Sequence, residues 1–553
     1  MKNCKNCNTG FQITDEDRRL LKMFDAPDPN LCFPCRLQRR MAFYNRRRLY
    51  KRKCDLTGKP IISIFSPDKP FKAYETRNWY SDKWDPMEYG RDFDFSKPFF
   101  EQFHGLLLDV PQNALAVLGD NVNSDYTNDN YKLKNCYLVF DGEQAENAYY
   151  GETFVGLKDC IDFLFLYQSE LCYECAVCDN CYNLNYSRFC KNCSDSWFLR
   201  DCIGCKNCFG CANLHQKEYH LFNEPKTKKE YEKFLTEFQS GHYGIIEEMK
   251  KKVEAFYITQ PVKATRGVQN IKAIGDNLNN CKNACYCFDC NDLQDCRYCT
   301  DCLLGGKDCM DIHVWGDGME RCYNSCVIGV GSINVHMSCY VALGANDIYY
   351  SYWCTRNCKD CFGCIGLTHK QYCILNKQYS KEAYKELSEK IIEHMKSTGE
   401  WGEFFPAEIS PFGYNETLAQ NYFPLKKEEV LKKGWQWCDF EPEIKAEKTI
   451  PADRLPDDIK DVPDDILNWA IVCEESKKPF KIILQELKFY REHNLPLPRR
   501  HPDQRHIDLL KLKQPFRLWN RKCGKCGADI QTAYSPDRPE KVYCESCYLK
   551  TVY

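Results

Sequence analysis

From about residue 132 to 376 the chain repeats one short unit: Asn or Asp, then Cys, then usually an aromatic or aliphatic residue. Asn135-Cys136-Tyr137, Asp159-Cys160-Ile161, Asn180-Cys181-Tyr182, Asp201-Cys202-Ile203, Asn207-Cys208-Phe209, Asp301-Cys302-Leu303 and Asp360-Cys361-Phe362 all follow it. Cys160, Cys181 and Cys202 are 21 residues apart, as are Cys172 and Cys193, Cys190 and Cys211, and Cys281 and Cys302. A period near 20 excludes a single irregular core and predicts stacked repeats. Asn and Asp suit the corners, where they tolerate tight turns, and the β-prone residue after the cysteine starts the next short strand. The small thiol fits a crowded interior and stacks on its equivalent one turn away. The expectation is a parallel β-solenoid.

The block is doubled. Cys205-Lys206-Asn207-Cys208-Phe209-Gly210-Cys211 recurs as Cys358-Lys359-Asp360-Cys361-Phe362-Gly363-Cys364. Each copy leads through a polar strand into a helical pattern, 227–238 and 380–395, with Thr227 and Ser380 as N-caps and Glu230 completing a capping box. These helices are expected to cover the ends of the stacks. We therefore divide the middle into a first solenoid at 132–224, a helical insert at 225–262, a second solenoid at 263–379 and a helix at 380–400, with 91–131 as connector. An aromatic segment and an acidic, Pro-punctuated linker fill 401–468 and are expected to pack on the solenoid.

Thirty-nine cysteines in a chain of 553 residues that opens on paired thiols and lacks a secretory signal point to metal or reduced thiols in the cytoplasm. Cys4, Cys7, Cys32 and Cys35 near the start, and Cys523, Cys526, Cys544 and Cys547 near the end, are two sets of paired C-x2-C knuckles. Two knuckles complete a closed tetrahedral Cys4 site, structural because no position stays open for water, and two zinc ions per chain are expected.

Sliding the sequence by 469 positions aligns the two ends without a gap. Cys4 falls on Cys473, Arg36 on Arg505, Arg52-Lys53-Cys54 on Arg521-Lys522-Cys523 and Ser66-Pro67-Asp68 on Ser535-Pro536-Asp537. Each end, 1–90 and 469–553, is thus a tandem of two zinc-ribbon modules with one intact site. Thr57 and Glu75 replace the places of Cys526 and Cys544 in the first copy. Ser476 and Gln504 leave Cys473 and His501 as poor remnants in the second.

Between the paired sites, the segment 36–53 carries Arg36, Arg39, Arg40, Arg46, Arg47, Arg48, Lys51, Arg52 and Lys53 with no acid, and Phe43, Tyr44 and Tyr50 are interleaved. Cations with aromatics suit a phosphate-tracking, base-stacking surface, so these residues, Tyr44 included, are candidate contacts for RNA or a ribonucleoprotein. A solvated helical face is the plainer reading of the same pattern. The net charge of −2 gives the whole chain no polyanion-binding character. No apolar run is long enough to span a bilayer.

Nucleotide-binding loops, H-E-x-x-H, G-x-S-x-G and dinucleotide fingerprints are absent from the sequence. The runs Cys172-Cys175-Cys178-Cys181 and Cys202-Cys205-Cys208-Cys211 resemble iron–sulfur ligands but lack the x3-Cys-Pro ending of the bacterial ferredoxin run. Buried thiol ladders are the expected state. A carbohydrate-active β-solenoid enzyme and an iron–sulfur redox protein are the alternatives.

Several stretches resemble an uncharacterised cysteine-rich zinc-ribbon and repeat protein family of candidate phyla radiation bacteria. They are Cys32-Phe33-Pro34-Cys35-Arg36, Lys53-Cys54-Asp55-Leu56, Trp84-Asp85-Pro86, Cys208-Phe209-Gly210-Cys211, Ile374-Leu375-Asn376-Lys377-Gln378-Tyr379 and 410–417. The resemblance implies no activity, and similar sequences keep the thiols that Thr57 and Glu75 replace here. The sequence thus predicts a mainly β chain: a duplicated parallel β-solenoid with helical appendages, flanked by duplicated zinc-ribbon modules. Its expected role is a non-catalytic zinc-binding scaffold for RNA, a ribonucleoprotein or another protein, with no membrane partner.

Overall fold

The computed structural model describes residues 1–314, 316–341, 343–442 and 444–553. Glu443, within the acidic linker, lies outside the described residues. The fold is mixed, with helices beside large parallel sheets.

In the first stack Tyr173 lies beside Ile161, Tyr182 beside Ser194, Ser194 beside Lys206 and Lys206 beside Glu218, all parallel. Arg188 beside Arg200 and Lys191 beside Ile203 carry the same offset away from those strands. The winding therefore advances by 12 residues and not by the 21 that the cysteine spacing suggests. Every third residue explains the difference. Asn180, Asn183, Tyr186, Phe189, Asn192 and Asp195 all have left-handed backbone, with φ between +48° and +57° wherever each is measured. The residue after each one, Cys181, Leu184, Ser187, Cys190, Cys193 and Ser196, is buried. Both 12 and 21 are multiples of three, so inward positions recur at either spacing and only the pairing register separates them.

The same geometry accounts for the residue types. Asn and Asp adopt the left-handed region most readily after Gly, and at these corners they also form ladders. Asn135 donates to Asn147 at 3.2 Å, and Asn147 to Asp159 at 2.8 Å, each pair one winding apart. The thiols satisfy themselves inside. Cys175 Sγ lies 3.3 Å from the Leu184 carbonyl and 3.5 Å from that of Tyr173, so a small, weakly polar side chain is buried without needing water.

The second stack starts at a similar pitch and then lengthens. Leu304 pairs with Asp317, Ile333 with Asn346 and Asn346 with Lys359, and the Asn334–Asp347 ladder bond spans 13 residues. The extra residue sits at one corner, where Gly305, Gly318, Gly331 and Gly344 have φ of +94°, +63°, +65° and +76°. Glycine occupies this corner because it bears positive φ without strain.

Each stack ends in an antiparallel hairpin, Glu218–Leu221 with Glu224–Pro225 and Gln371–Ile374 with Lys377–Gln378. The helices Lys228–Glu237 and Lys381–Thr398 follow, capped by Thr227 with Glu230 and by Ser380 as the sequence predicts. Phe234 packs on Phe209 at 4.9 Å, and Tyr384 on Tyr372 at 5.9 Å. Parallel pairing begins at Val117–Leu118, inside the stretch taken as connector, which also holds the helix Phe99–Asp109. A further helix, Tyr243–Thr259, lies in the insert between the stacks.

The chain ends form four small modules of one design, here named for their first cysteine. The cysteine amide bonds the carbonyl five residues on, and the amide four residues on bonds back to the cysteine carbonyl. Cys4 does this with Thr9 and Asn8, Cys54 with Lys59 and Gly58, Cys473 with Lys478 and Lys477, and Cys523 with Ala528 and Gly527. Asn8, Gly58, Lys477 and Gly527 all have positive φ. The second pair of positions opens a helix: Cys32 caps Phe33–Met41, Glu75 caps Thr76–Trp79, His501 caps Pro502–Leu512 and Cys544 caps Glu545–Val552. The hairpin leads to that helix in each module, and in the Cys4 and Cys473 modules a further helix, Asp15–Met23 and Leu484–Glu492, comes between the two.

The modules brace the stacks crosswise. The Cys4 module lies on the second stack, where Phe24 stacks on Tyr323 at 5.0 Å. The Cys473 module lies on the first, with Tyr490 5.7 Å from Tyr173. In the Cys54 module Ala73–Tyr74 pairs with Gln112–Asn113 just before the first stack, and Trp79 meets Trp353 near the end of the second. The Cys523 module mirrors this. Val542–Tyr543 pairs with Val262–Lys263 just before the second stack, and Tyr548 donates to Asn213 near the end of the first at 3.0 Å.

Candidate metal centres

The hairpin turn presents two thiols of each intact set, and the first helical turn presents the other two. The Sγ atoms of Cys4, Cys7, Cys32 and Cys35 all lie within 4.8 Å of one another, as do those of Cys523, Cys526, Cys544 and Cys547. Cys7 and Cys32 are 3.6 Å apart, and Cys526 and Cys544 3.8 Å. A tetrahedral thiolate site with metal–sulfur bonds of about 2.3 Å has an edge of about 3.8 Å, so both sets fit one ion. Each supplies four protein ligands, leaving no position for substrate or water.

The surroundings favour a thiolate at Cys32 and Cys523, whereas the neighbouring thiols hold Cys35 and Cys547 above the usual range. Cys32 caps its helix and Cys35 lies in the first turn, where the unpaired N–H groups and the helix dipole stabilise negative charge. Asn6 Nδ2 also donates to Cys35 Sγ at 3.3 Å. The neighbouring Cys35 thiol pulls Cys32 down to about 7. Burial opposes ionisation of Cys523, but backbone N–H groups around Cys526, Cys544 and Lys525 outweigh it and bring the thiol to about 6. The N-terminal set is the more enclosed: Cys4, Cys32 and Cys35 are buried, whereas Cys526 is exposed and Cys544 and Cys547 are half-buried.

In the two modules without a full set, hydrogen bonds hold the same turn. Cys54 Sγ accepts from the Glu75 amide and Cys473 Sγ from the Ser476 amide, both at 3.3 Å. Cys544 gives the same bond to Cys523 in an intact module. His501 Nδ1 accepts from the Asp503 amide at 3.1 Å, so it serves as a helix cap. Among the described residues no third group of three or more His, Cys, Asp or Glu ligands closes to 4.8 Å. The run Cys172, Cys175, Cys178 and Cys181 therefore does not converge on one point.

The basic segment is where the structure most changes the reading. Arg36 donates to Asp311 at 2.5 Å, Arg39 to Glu403 at 2.9 Å and Arg40 to Asn324 at 2.6 Å. Arg46 lies 2.8 Å from Glu152 and 3.2 Å from Asp141, Arg47 3.6 Å from Glu152, and Arg48 2.9 Å from Asp503. Tyr44 is fully buried and its hydroxyl donates to Asp129. Arg52 pairs with Asp55, and only Lys51 and Lys53 of the ten candidate contacts are exposed. The expected open, phosphate-tracking surface is corrected accordingly: the segment carries no acid of its own because its acids come from the stacks, from Glu403, from Asp503 in the Cys473 module and from Asp55 just beyond it. It runs as a strap from the second stack at Asp311 to the first at Glu152. Its counterpart crosses the other way, from Arg505 on Asp162 to Lys513, which lies 2.8 Å from Asp289 and 3.2 Å from Asp301.

Sequence reasoning passed over Asp17, Tyr298 and Asp311, and their counterparts Glu486, Tyr150 and Asp162. The only signal was the 469-residue shift, which sets the acid Asp17 on Glu486 as well as Arg36 on Arg505. Compared with protein-family models, curated proteins and solved structures, the chain matches none. Among the described residues no helix is long and apolar enough to cross a membrane.

Proposed function

We propose that the chain is a zinc-stabilised, non-catalytic scaffold. In this reading each stack closes into a four-sided β-solenoid of three-residue sides, and the terminal modules clamp the two together. The observation that carries it is the pair of closed four-thiol sets with tetrahedral edges. Zinc suits such sets, and when bound it supplies folding energy that hairpins this short cannot draw from a core of their own. The free thiols packed through both stacks suit a reducing compartment, so we place the protein in the cytoplasm. The faces left for a macromolecular partner are the outer walls of the stacks, because the basic straps are used internally.

The test is metal analysis with X-ray absorption on untagged protein purified without oxygen. The expected result is about two zinc per chain, each with four sulfur neighbours at about 2.3 Å. Thiolate sets also accept iron. A coloured protein whose iron matches the site count would replace zinc in this reading, and metal-free folded protein would remove it.

A further inference from the structure

The four modules share one backbone design but not one chemistry, and their distribution is uneven. The leading half of the first stack is held by the Cys54 module through Ala73–Tyr74 and by the Cys473 module through Arg505 on Asp162. Neither has a full thiol set. The leading half of the second stack is held by the Cys523 module through Val542–Tyr543 and by the Cys4 module through Arg36 on Asp311. Both have one. The straps do not alter this, since each stack receives one: Arg46 reaches Glu152 in the first, and Lys513 reaches Asp289 in the second.

We infer that metal binding controls the docking of the leading half of the second stack, residues 262–341, while the leading half of the first stack docks without metal. This rests on the zinc reading above. The connection is covalent and short at both sites. Cys32 and Cys35 start the nine-residue helix Phe33–Met41, which carries Arg36 and Arg40 into contact with Asp311 and Asn324. A helix of that length does not hold its shape alone in water. Release of its first turn loosens Arg36 opposite Asp311, and with it Phe24 on Tyr323 and Asp17 within 3.1 Å of the Tyr298 hydroxyl, leaving buried side chains such as Leu37 and Met41 as the remaining anchors. In the other module Cys544 directly follows the strand Val542–Tyr543 that pairs with Val262–Lys263. On the first stack the matching elements hold the Glu75 amide on Cys54 and the Asp503 amide on His501, which need no ion; Cys544 gives Cys523 the first of these bonds too, but there the sulfur also lies within 4.8 Å of three other thiols that only a metal brings to rest together.

The experiment is hydrogen exchange on the full chain, zinc-loaded and after chelation, with metal content measured on the same samples. Amides within 262–341 are expected to exchange at least tenfold faster without metal, and those within 137–190, clear of the Tyr548 contact at Asn213, to change less than twofold. Equal acceleration in both stacks, or none in either, would overturn the inference while leaving two bound zinc ions in place. Protein that never held metal would overturn both readings. Arg36→Gln supplies a check that does not depend on ligand loss. It should keep two metal ions and still speed exchange around Tyr298, Asp311 and Asn324; unchanged exchange there would break the proposed link between the Cys4 site and the stack.

Discussion

Arg36 donates to Asp311 at 2.5 Å across 275 positions of the chain, and Arg505 repeats the contact with Asp162 at 2.5 Å. The likeness extends further. Each guanidinium lies over a tyrosine ring, Arg36 over Tyr298 at 5.0 Å and Arg505 over Tyr150 at 4.4 Å. Each tyrosine hydroxyl donates to a buried acid near the start of a module helix, Tyr298 to Asp17 and Tyr150 to Glu486. Counting windings from Cys309 and Cys160 places Asp311 and Asp162, and Tyr298 and Tyr150, at the same steps of their stacks. The two stacks and two tandem ends are therefore two copies of one arrangement, with each end docked by its first module on the stack farther along the chain from it.

Removing either guanidinium takes from a buried carboxylate its nearest partner, and leaves Asp311 only Arg40 at 3.8 Å. Arg36→Ala and Arg505→Ala should each cost about 3–5 kcal/mol, read by chemical denaturation of metal-loaded protein. Changing Arg36 and Arg40 to Met together with Asp311→Leu should recover much of the loss, because it removes the whole buried charge group. A single Arg→Ala change costing under about 1 kcal/mol would show that these pairs are not what holds the modules down.

Metal stoichiometry should follow the four-thiol sets one by one. Cys7→Ser and Cys526→Ser should each lower zinc by about one ion per chain. Cys54→Ser, Cys473→Ser and Cys178→Ala should leave about two, since their sulfurs bond only amides, carbonyls or one another. Loss of metal from the Cys178 variant, measured by elemental analysis, would place ions inside the stack.

How much of this was legible beforehand depended on whether a feature is local. The knuckles, the capping box at Thr227 and the Asn-Cys corners are set by neighbours a few residues apart, the duplication shows as a repeat of such local patterns, and all are visible in the string. The winding of 12 was hidden because any multiple of three repeats the inward position. The fate of the basic segment was hidden for a different reason. Arg46 lies 106 positions from Glu152 and Arg36 lies 275 from Asp311, so the charges that neutralise the segment lie outside any window in which its charge is counted. The glycine corner at Gly305, Gly318, Gly331 and Gly344 was legible as a 13-residue spacing once the unit was known.

Two buried histidines should weaken the fold in acid, opposed by Asp129 and Asp162, which burial raises to about 7, and by Asp276 and Asp301, which it raises to about 6. Burial lowers His336 to about 4, and burial with the nearby Arg47 charge lowers His506 to about 4. In the unfolded chain both take up protons near pH 6.5. Between those values the unfolded state binds protons at these histidines that the folded state does not, so their contribution to stability is full above about pH 6.5 and is lost as pH drops toward 4. Each histidine contributes on the order of 3 kcal/mol to that loss at pH 4. His336→Gln should flatten the slope of denaturation midpoint against pH over this range, with metal content tracked in parallel. An unchanged slope would mean that the histidines are not the groups responsible.

The glycine corner separates backbone strain from crowding. At Gly331 an added Cβ would meet no heavy atom within 4 Å, and φ is +65°. Gly331→Ala should therefore cost only the left-handed penalty of about 1–2 kcal/mol, and Gly331→Asn less, because Asn tolerates that region. Gly151 gives the opposite case: its backbone is not left-handed, but a Cβ there would lie 2.2 Å from the Phe163 ring. Gly151→Ala must push that buried ring aside, and the cost should be about 1–3 kcal/mol with no relief from Asn. Thermal unfolding of the four variants gives the comparison. If Gly331→Asn proves as damaging as Gly331→Ala, the lengthened windings are not held open by backbone freedom at this corner, and the extra residue in each would need a contact of its own to explain it.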